Sequence, residues 1–139
     1  MEAFSDEASG ERSGSLVAFC VLGGIFGEGI DLKNEQLIGA IIVGTGLPQI
    51  SNEREILMNY YERRSGEGFD YAYRYPGMNK VLQAAGRVIR TVEDVGVIEL
   101  LDERFLQSDY RGLFPREWEK RTVCSVETVE QYVKEFWEK

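Results

Sequence analysis

The run Leu37-Ile-Gly-Ala-Ile-Ile-Val43 decides the fold class, because it is continuously apolar and ends in the turn Gly44-Thr-Gly-Leu-Pro48. A short apolar run bounded by turn residues is typical of a strand buried on both faces. Leu16-Val-Ala-Phe-Cys-Val-Leu22 shows the same pattern, and Val95-Gly-Val-Ile-Glu-Leu-Leu101 predicts a third buried strand. The first two strands are expected to run parallel.

Helical patterns separate and follow these strands. Ser51 is a cap-like residue for a helix that ends at Gly66, and Pro76 suits the first turn of a helix running to about Arg90. A C-terminal helix is predicted over residues 127–138. Strands that alternate with helices predict an α/β fold with a mainly parallel sheet and flanking helices. The first and last helices have predicted apolar faces, made by Ile56, Leu57, Tyr60 and Tyr61 and by Val129, Tyr132, Val133 and Phe136.

The chain of 139 residues has the size of one domain, and residues 1–139 are predicted to form it. Three strands are few for a sheet of this kind. We therefore expect either that the domain is truncated at its N-terminus or that another chain covers the open sheet edge. The second alternative would make the isolated chain a homodimer.

Composition limits the classes of function. A hydrophobic content of 43% and a charged content of 29% are typical of a folded globular domain. No stretch approaches the roughly 20 apolar residues that cross a bilayer, and the N-terminus does not resemble a signal peptide, so we expect a cytoplasmic protein without membrane contact. Cys20 lies in an apolar run and is predicted to be a buried free thiol. With two cysteines and no histidine, a metal site is not expected.

The charge is unevenly distributed along the chain. A net charge of -8 argues against nucleic-acid binding, because Lys and Arg supply most of the affinity for phosphate. Residues 51–91, however, contain seven basic and five acidic side chains and form the only net positive third. Any contact with phosphate is therefore expected there.

Three polar residues in this basic part have a helical spacing. If the helix continues to Arg90, then Gln83, Arg87 and Arg90 share one stripe, and Leu82, Ala85 and Ile89 form a separate apolar stripe. Two arginines on one stripe attract an anion such as a triphosphate, although a solvated charged face is the commoner reason for such a pair. Gly86 in mid-helix would cost about 1 kcal/mol relative to alanine, which indicates close packing or a nearby ligand.

The motifs resemble those of one helicase family. Gln83-Ala-Ala-Gly-Arg-Val-Ile-Arg90 resembles motif VI of superfamily 2 helicases of the DinG/XPD type, Gln-x-x-Gly-Arg-x-x-Arg, and residues 24–32 resemble motif V. Ile41-Ile-Val-Gly-Thr-Gly-Leu-Pro48 is similar to the family's strand and Gly-Leu-Pro turn, and residues 97–104 are similar to its closing strand and Asp-x-Arg stretch. The resemblance covers about residues 16–118 and implies the C-terminal part of the second RecA-like, P-loop NTPase-type motor domain.

The resemblance assigns expected roles to single residues. Arg87 and Arg90 would be arginine fingers that face the γ-phosphate of ATP, and Gln83 would sense the nucleotide. Gly29 and Asp31 would line the same cleft, where the carboxylate of Glu28 adds a further acceptor. Single-stranded DNA would contact the backbone of Gly24, Gly27, Gly46 and Pro48. Gly27 stands where the family commonly has serine or threonine, so a hydroxyl contact is expected to be missing.

Other parts of the family's machinery are absent from this sequence. It contains no Gly-x-x-x-x-Gly-Lys-Ser/Thr loop and no set of cysteines for an iron–sulfur cluster. ATP and Mg²⁺ would therefore be held mainly by a first motor domain, the expected partner besides single-stranded DNA. The chain alone is expected to be inactive. The alternative is a nucleic-acid-binding or protein-interaction module that kept the helicase fold without the motor function.

Overall fold

The computed structural model of the protein describes residues 16–24 and 37–138. Their regular elements follow one another along the chain. They are β1 (Gly39–Val43), α1 (Asn52–Ser65), a π-helical turn (Asp70–Arg74), α2 (Tyr75–Ala85), β2 (Val97–Leu101), a 3-10 helix (Glu103–Leu106), α3 (Ser108–Arg111), a second 3-10 helix (Arg116–Lys120) and α4 (Val129–Trp137).

The two strands form a small parallel sheet. Gly39 lies opposite Val97, Val43 lies opposite Leu101, and the chain passes through α1 and α2 between the strands. This arrangement confirms an α/β fold with a parallel sheet and flanking helices. Among the described residues the sheet has two strands, whereas three were predicted.

The predicted first strand, residues 16–22, is wrong. These residues form no strand, and their side chains are largely exposed, with Val17 at 74% and Phe19 at 97%. Cys20 is a free thiol but is exposed, so its predicted burial is also wrong. A strand needs hydrogen-bonded neighbours as well as apolar side chains, and neither β1 nor β2 pairs with this run.

The sheet is covered on one face, although burial on both faces was predicted. Ile42 is 4% exposed, whereas Ile41 and Val43 on the opposite face are 65% and 70% exposed. Partners across a sheet point to the same side, and Ile98 and Leu100 of β2 accordingly pack with Ile42 on the core side. The apolar sequence pattern predicted burial of both faces of the sheet. Residues 16–24 and 37–138 cover only the inner face.

The core lies between this inner face, α2 and the segment after β2. Its buried residues are Ile42, Met78, Val81, Ala85, Phe105 and Tyr110. The spacing of Met78, Val81 and Ala85 places three α2 side chains on one helix face. The buried face of α2 therefore differs from the predicted stripe of Leu82, Ala85 and Ile89, since Ile89 is 40% exposed.

Helix α1 begins and ends as predicted. The Ser51 hydroxyl accepts the backbone N–H of Arg54 at 3.4 Å, and Gly66 ends the helix with a φ of 73°. Its predicted apolar face does not reach the core, because Ile56 and Tyr60 are 70% and 53% exposed. Helix α1 is held by a hydrogen bond from the Tyr73 hydroxyl to Glu55 at 2.6 Å and by stacking of Tyr61 on Tyr71, with ring centroids 4.0 Å apart.

Helix α4 is shorter than the predicted 127–138 and lies on the surface. It contains no buried residue, and Tyr132 and Phe136 are 45% and 40% exposed. None of the helices within residues 16–24 and 37–138 combines the length and apolarity needed to cross a bilayer.

Candidate functional site

The structure separates the three residues that were predicted to share a helical stripe. Helix α2 ends at Ala85, not near Arg90, and Gly86 is its C-cap with a φ of -67°. Gln83 therefore lies exposed in the last helical turn, while Arg87 is half-buried in the following turn and Arg90 is exposed beyond it. The predicted spacing of these residues on one helix is wrong, and so is the position of Gly86 in mid-helix.

Val88 is buried in the turn that follows the end of α2. The backbone N–H of Arg87 donates to Ala84 at 3.1 Å and that of Val88 donates to Ala85 at 3.0 Å. Each of these hydrogen bonds joins residues three apart, as in the tighter turns of a 3-10 helix. Val88 is 3% exposed. It fits against Gly96, where an ideal Cβ would overlap the Cγ1 of Val88. Arg87 is thus attached directly to a residue fixed in the interior.

A carboxylate fixes the backbone at Arg90. Asp94 accepts the backbone N–H groups of Arg90 at 2.8 Å and of Thr91 at 2.7 Å. These hydrogen bonds, the one from Arg90 first, hold the pKa of Asp94 below its ordinary value. Sequence reasoning missed Asp94, although an aspartate in a connecting loop commonly accepts hydrogen bonds from nearby backbone N–H groups.

Three of the four predicted nucleic-acid contacts, Gly24, Gly46 and Pro48, lie on two turns that meet over α2. One turn is closed by the backbone N–H of Gly24, which donates to Val21 at 2.9 Å. The other follows β1 and contains Gly46 and Pro48. An ideal Cβ on Gly46 would lie 3.0 Å from Cδ2 of Leu22, so the two turns are in contact. We call them the paired turns, residues 22–24 and 44–48.

Glycines allow the second turn to touch the helix backbone. An ideal Cβ on Gly46 would lie 2.7 Å from the carbonyl oxygen of Gly77, and one on Gly77 would lie 2.6 Å from that of Thr45. Gly46 also has a φ of 66°, which disfavours other residues. Gly77 was not predicted from the sequence. Its place directly after Pro76 in the first turn of α2 was the available signal.

Thr45 is buried inside this contact. It is 1% exposed, and its hydroxyl has no hydrogen-bond partner within the described part of the chain. A buried hydroxyl without a partner costs about 1–3 kcal/mol. Close packing of the turn against α2 is therefore maintained at some cost in stability.

Four predicted site residues have no structural description. Gly27, Glu28, Gly29 and Asp31 of the motif V stretch lie outside residues 16–24 and 37–138. Their expected roles stay predictions. The start of the motif, Gly24, is described and is placed beside the turn after β1.

The residues at the end of α2 carry side-chain groups that can bind an anion. Gln83 and Arg90 are exposed and Arg87 is half-buried, so an amide and two guanidiniums occur within eight residues at one end of α2. Guanidinium groups match phosphate oxygens well. Within residues 16–24 and 37–138, no group of three or more His, Cys, Asp or Glu side chains has an arrangement that could hold a metal ion.

A parallel strand pair joined through helices, with arginines in the turn after the second helix, is consistent with a RecA-like α/β domain. Comparison with protein families matches residues 1–121 to the helicase C-terminal domain. The chain belongs to this family and is a C-terminal helicase domain of the DinG/XPD type.

Individual helicases show the same similarity. The chain is 28% identical to a regulator of telomere elongation helicase 1 homolog of Caenorhabditis elegans, over 90% of this chain and 13% of that protein. It is 31% identical to regulator of telomere elongation helicase 1 of Bos taurus, over 83% of this chain and 10% of that protein. It is 29% identical to the ATP-dependent DNA helicase chl-1 of Caenorhabditis elegans, over 73% of this chain and 12% of that protein. The chain spans about a tenth of the length of these relatives.

Proposed function

We propose that this chain is the C-terminal part of the second motor domain of an ATP-dependent DNA helicase. It supplies arginine fingers and single-strand contacts to a first motor domain outside this chain. The observation that carries the proposal is the turn after α2, where Arg87 directly precedes the buried Val88 and Arg90 is held through Asp94. Two cations on a turn with a fixed backbone suit a phosphate that arrives with another domain.

The outer face of the sheet supports the proposal that the natural protein is longer than this chain. Ile41, Val43 and Leu101 lie on this face and are 51% to 70% exposed. Parallel strands are normally covered on both faces. We infer that further elements of the same motor domain, preceding this chain, cover the outer face.

The chemistry of the proposed site is electrostatic. Bound ATP would supply the phosphoryl group, and Mg²⁺ held by the first motor domain would neutralise part of its charge. Arg87 and Arg90 would stabilise the negative charge that develops on the transferred group, and Gln83 would hydrogen-bond near it. Such a finger contributes about 10³ to 10⁵ in rate in other phosphoryl-transfer systems. Gly29, Asp31 and Glu28 remain the expected lining of the same cleft.

The test is made in the natural full-length protein. Arg87→Ala and Arg90→Ala are each expected to lower DNA-stimulated ATP hydrolysis by about 10³ or more while nucleotide binding persists. Arg63→Ala is the matched control, because Arg63 is exposed in the last turn of α1 and belongs neither to the turn after α2 nor to the paired turns. Near-wild-type turnover of both variants would refute the finger assignment, whereas a wild-type protein that shows no DNA-stimulated ATP hydrolysis would favour a non-catalytic interaction module.

A further inference from the structure

We propose that Lys80 binds a backbone phosphate of the single strand that crosses the paired turns. The proposal rests on the proposed function and adds a residue to its nucleic-acid contact. The motif comparison gave no role to Lys80, which lies in α2 one helical turn after Gly77. Its position relative to residues 22–24 and 44–48 is visible only in the folded chain.

The side chain of Lys80 lies along the first of the paired turns. An ideal Cβ on Gly23 would be 3.2 Å from both Cδ and Cε of Lys80 and 3.5 Å from its Nζ. The aliphatic part of the side chain therefore packs against the backbone of Gly23. This contact brings the ammonium group to the turn that leads into the motif V stretch, instead of leaving it to extend freely into solvent.

The charge of Lys80 is not used inside the described structure. Arg74, Arg104 and Lys134 each form an ion pair with an aspartate or glutamate. Lys80, by contrast, has no carboxylate within ion-pair distance among residues 16–24 and 37–138. The chain has a net charge of -8, so most of its surface repels anions. An unpaired cation in a fixed position attracts an external anion to that one place.

The surroundings of the ammonium group favour the phosphate of an extended strand. Gly44, in the second of the paired turns, has a positive φ of 83°, and an ideal Cβ there would have no atom within 4 Å, so this turn offers open space to a ligand. Backbone N–H groups and a lysine recognise phosphate without reading a base. We therefore expect Lys80 to contribute affinity that depends on salt and is independent of sequence.

The test measures binding of the 139-residue chain to a fluorescently labelled oligothymidylate by anisotropy at several salt concentrations. Lys80→Met removes the charge and keeps an apolar side chain over Gly23. It is expected to weaken binding several-fold at low salt and to reduce the slope of log K against log salt by about 0.7, the value for one phosphate contact on a single strand. Lys80→Arg, which keeps the charge, is expected to retain both affinity and slope.

Lys120→Met is the matched control, because Lys120 is exposed in the second 3-10 helix, away from the paired turns in sequence. Thermal unfolding of all variants separates loss of binding from loss of folding. If Lys80→Met and Lys120→Met have the same affinity and slope, the Lys80 proposal fails and the proposed function stands. A wild-type chain that does not bind at low salt would overturn both Lys80 and the single-strand part of the proposed function.

Discussion

Val88 is the residue that determines where the two arginines of the turn after α2 are placed. It occupies a variable position of the motif, yet it is among the buried residues, and the chain leaves the helix so that its side chain packs against Gly96. Arg87 and Arg90 lie on either side of this buried side chain. The geometry of the turn therefore depends on Gly96, a residue outside the motif.

The dependence can be tested with Gly96→Ala. The added Cβ would overlap Cγ1 of Val88 and lie 2.9 Å from the carbonyl oxygen of Ile38, so either Val88 or β1 must move. We expect the free energy of unfolding to fall by about 1–3 kcal/mol, as for other overpacked sites. Chemical denaturation measures the change.

Gly112→Ala is the control for this substitution. Gly112 has a φ of -63°, and an ideal Cβ there would lie 3.4 Å from the nearest atom, the Ser108 oxygen. This variant should keep nearly the wild-type stability. Equal stability of the two variants would show that Val88 is not held by contact with Gly96.

The connection from α2 to β2 is an ordered element because of Asp94. The carboxylate accepts two consecutive backbone N–H groups, so it caps the chain at Arg90 and Thr91. Its pKa is lowered by these hydrogen bonds, which means that the folded state favours the ionised form. Stability from Asp94 is thus complete above its ordinary pKa of 3.8 and is lost as the pH falls through the lower folded pKa.

In the variant Asp94→Asn, the stability contributed by the side chain at position 94 is expected to be independent of pH. A neutral amide oxygen is a weaker acceptor than a carboxylate, so the variant should melt at a lower temperature than the wild type near neutral pH. The difference should shrink as the pH falls below 3.8, because the wild-type carboxyl then becomes protonated. Melting curves followed by circular dichroism give both temperatures. A constant difference across the acid range would contradict the assignment.

The ends of the two long helices show how far local sequence signals reach. Ser51 and Gly66 predicted both ends of α1 correctly, because capping depends on a few neighbouring residues. The end of α2 was predicted about five residues too late. Gly86, the C-cap of α2, is a local signal for a helix end, but the prediction placed it in mid-helix.

At the scale of the whole molecule, the sheet has an exposed apolar face. Ile41 and Val43 point away from the core, next to Glu99 and Leu101 of β2. Within residues 16–24 and 37–138 this parallel sheet has one uncovered face and an unpaired edge, and such a sheet is prone to association. In the isolated chain, a second copy would cover surface that the remainder of the motor domain covers in the proposed full-length protein.

The isolated chain is therefore expected to self-associate as its concentration rises. Size-exclusion chromatography with light scattering measures the mass directly. Ile41→Glu places a charge on the outer face without touching the buried Ile42 side, and it should shift the chain toward the monomer. A wild-type chain that stays monomeric at high concentration would exclude the homodimer.

The sequence by itself determined the α/β class with a parallel sheet, the ends of α1 and the helicase family. These depend on local patterns and on a motif whose residue types are diagnostic. Only the tertiary structure decided that residues 16–22 form no strand, that Val88 is buried against Gly96 and that the paired turns meet beside Lys80. Each of these depends on contacts between residues distant in sequence, such as Val88 with Gly96 and Gly46 with Gly77, and close packing between distant segments leaves no periodic signal in the chain.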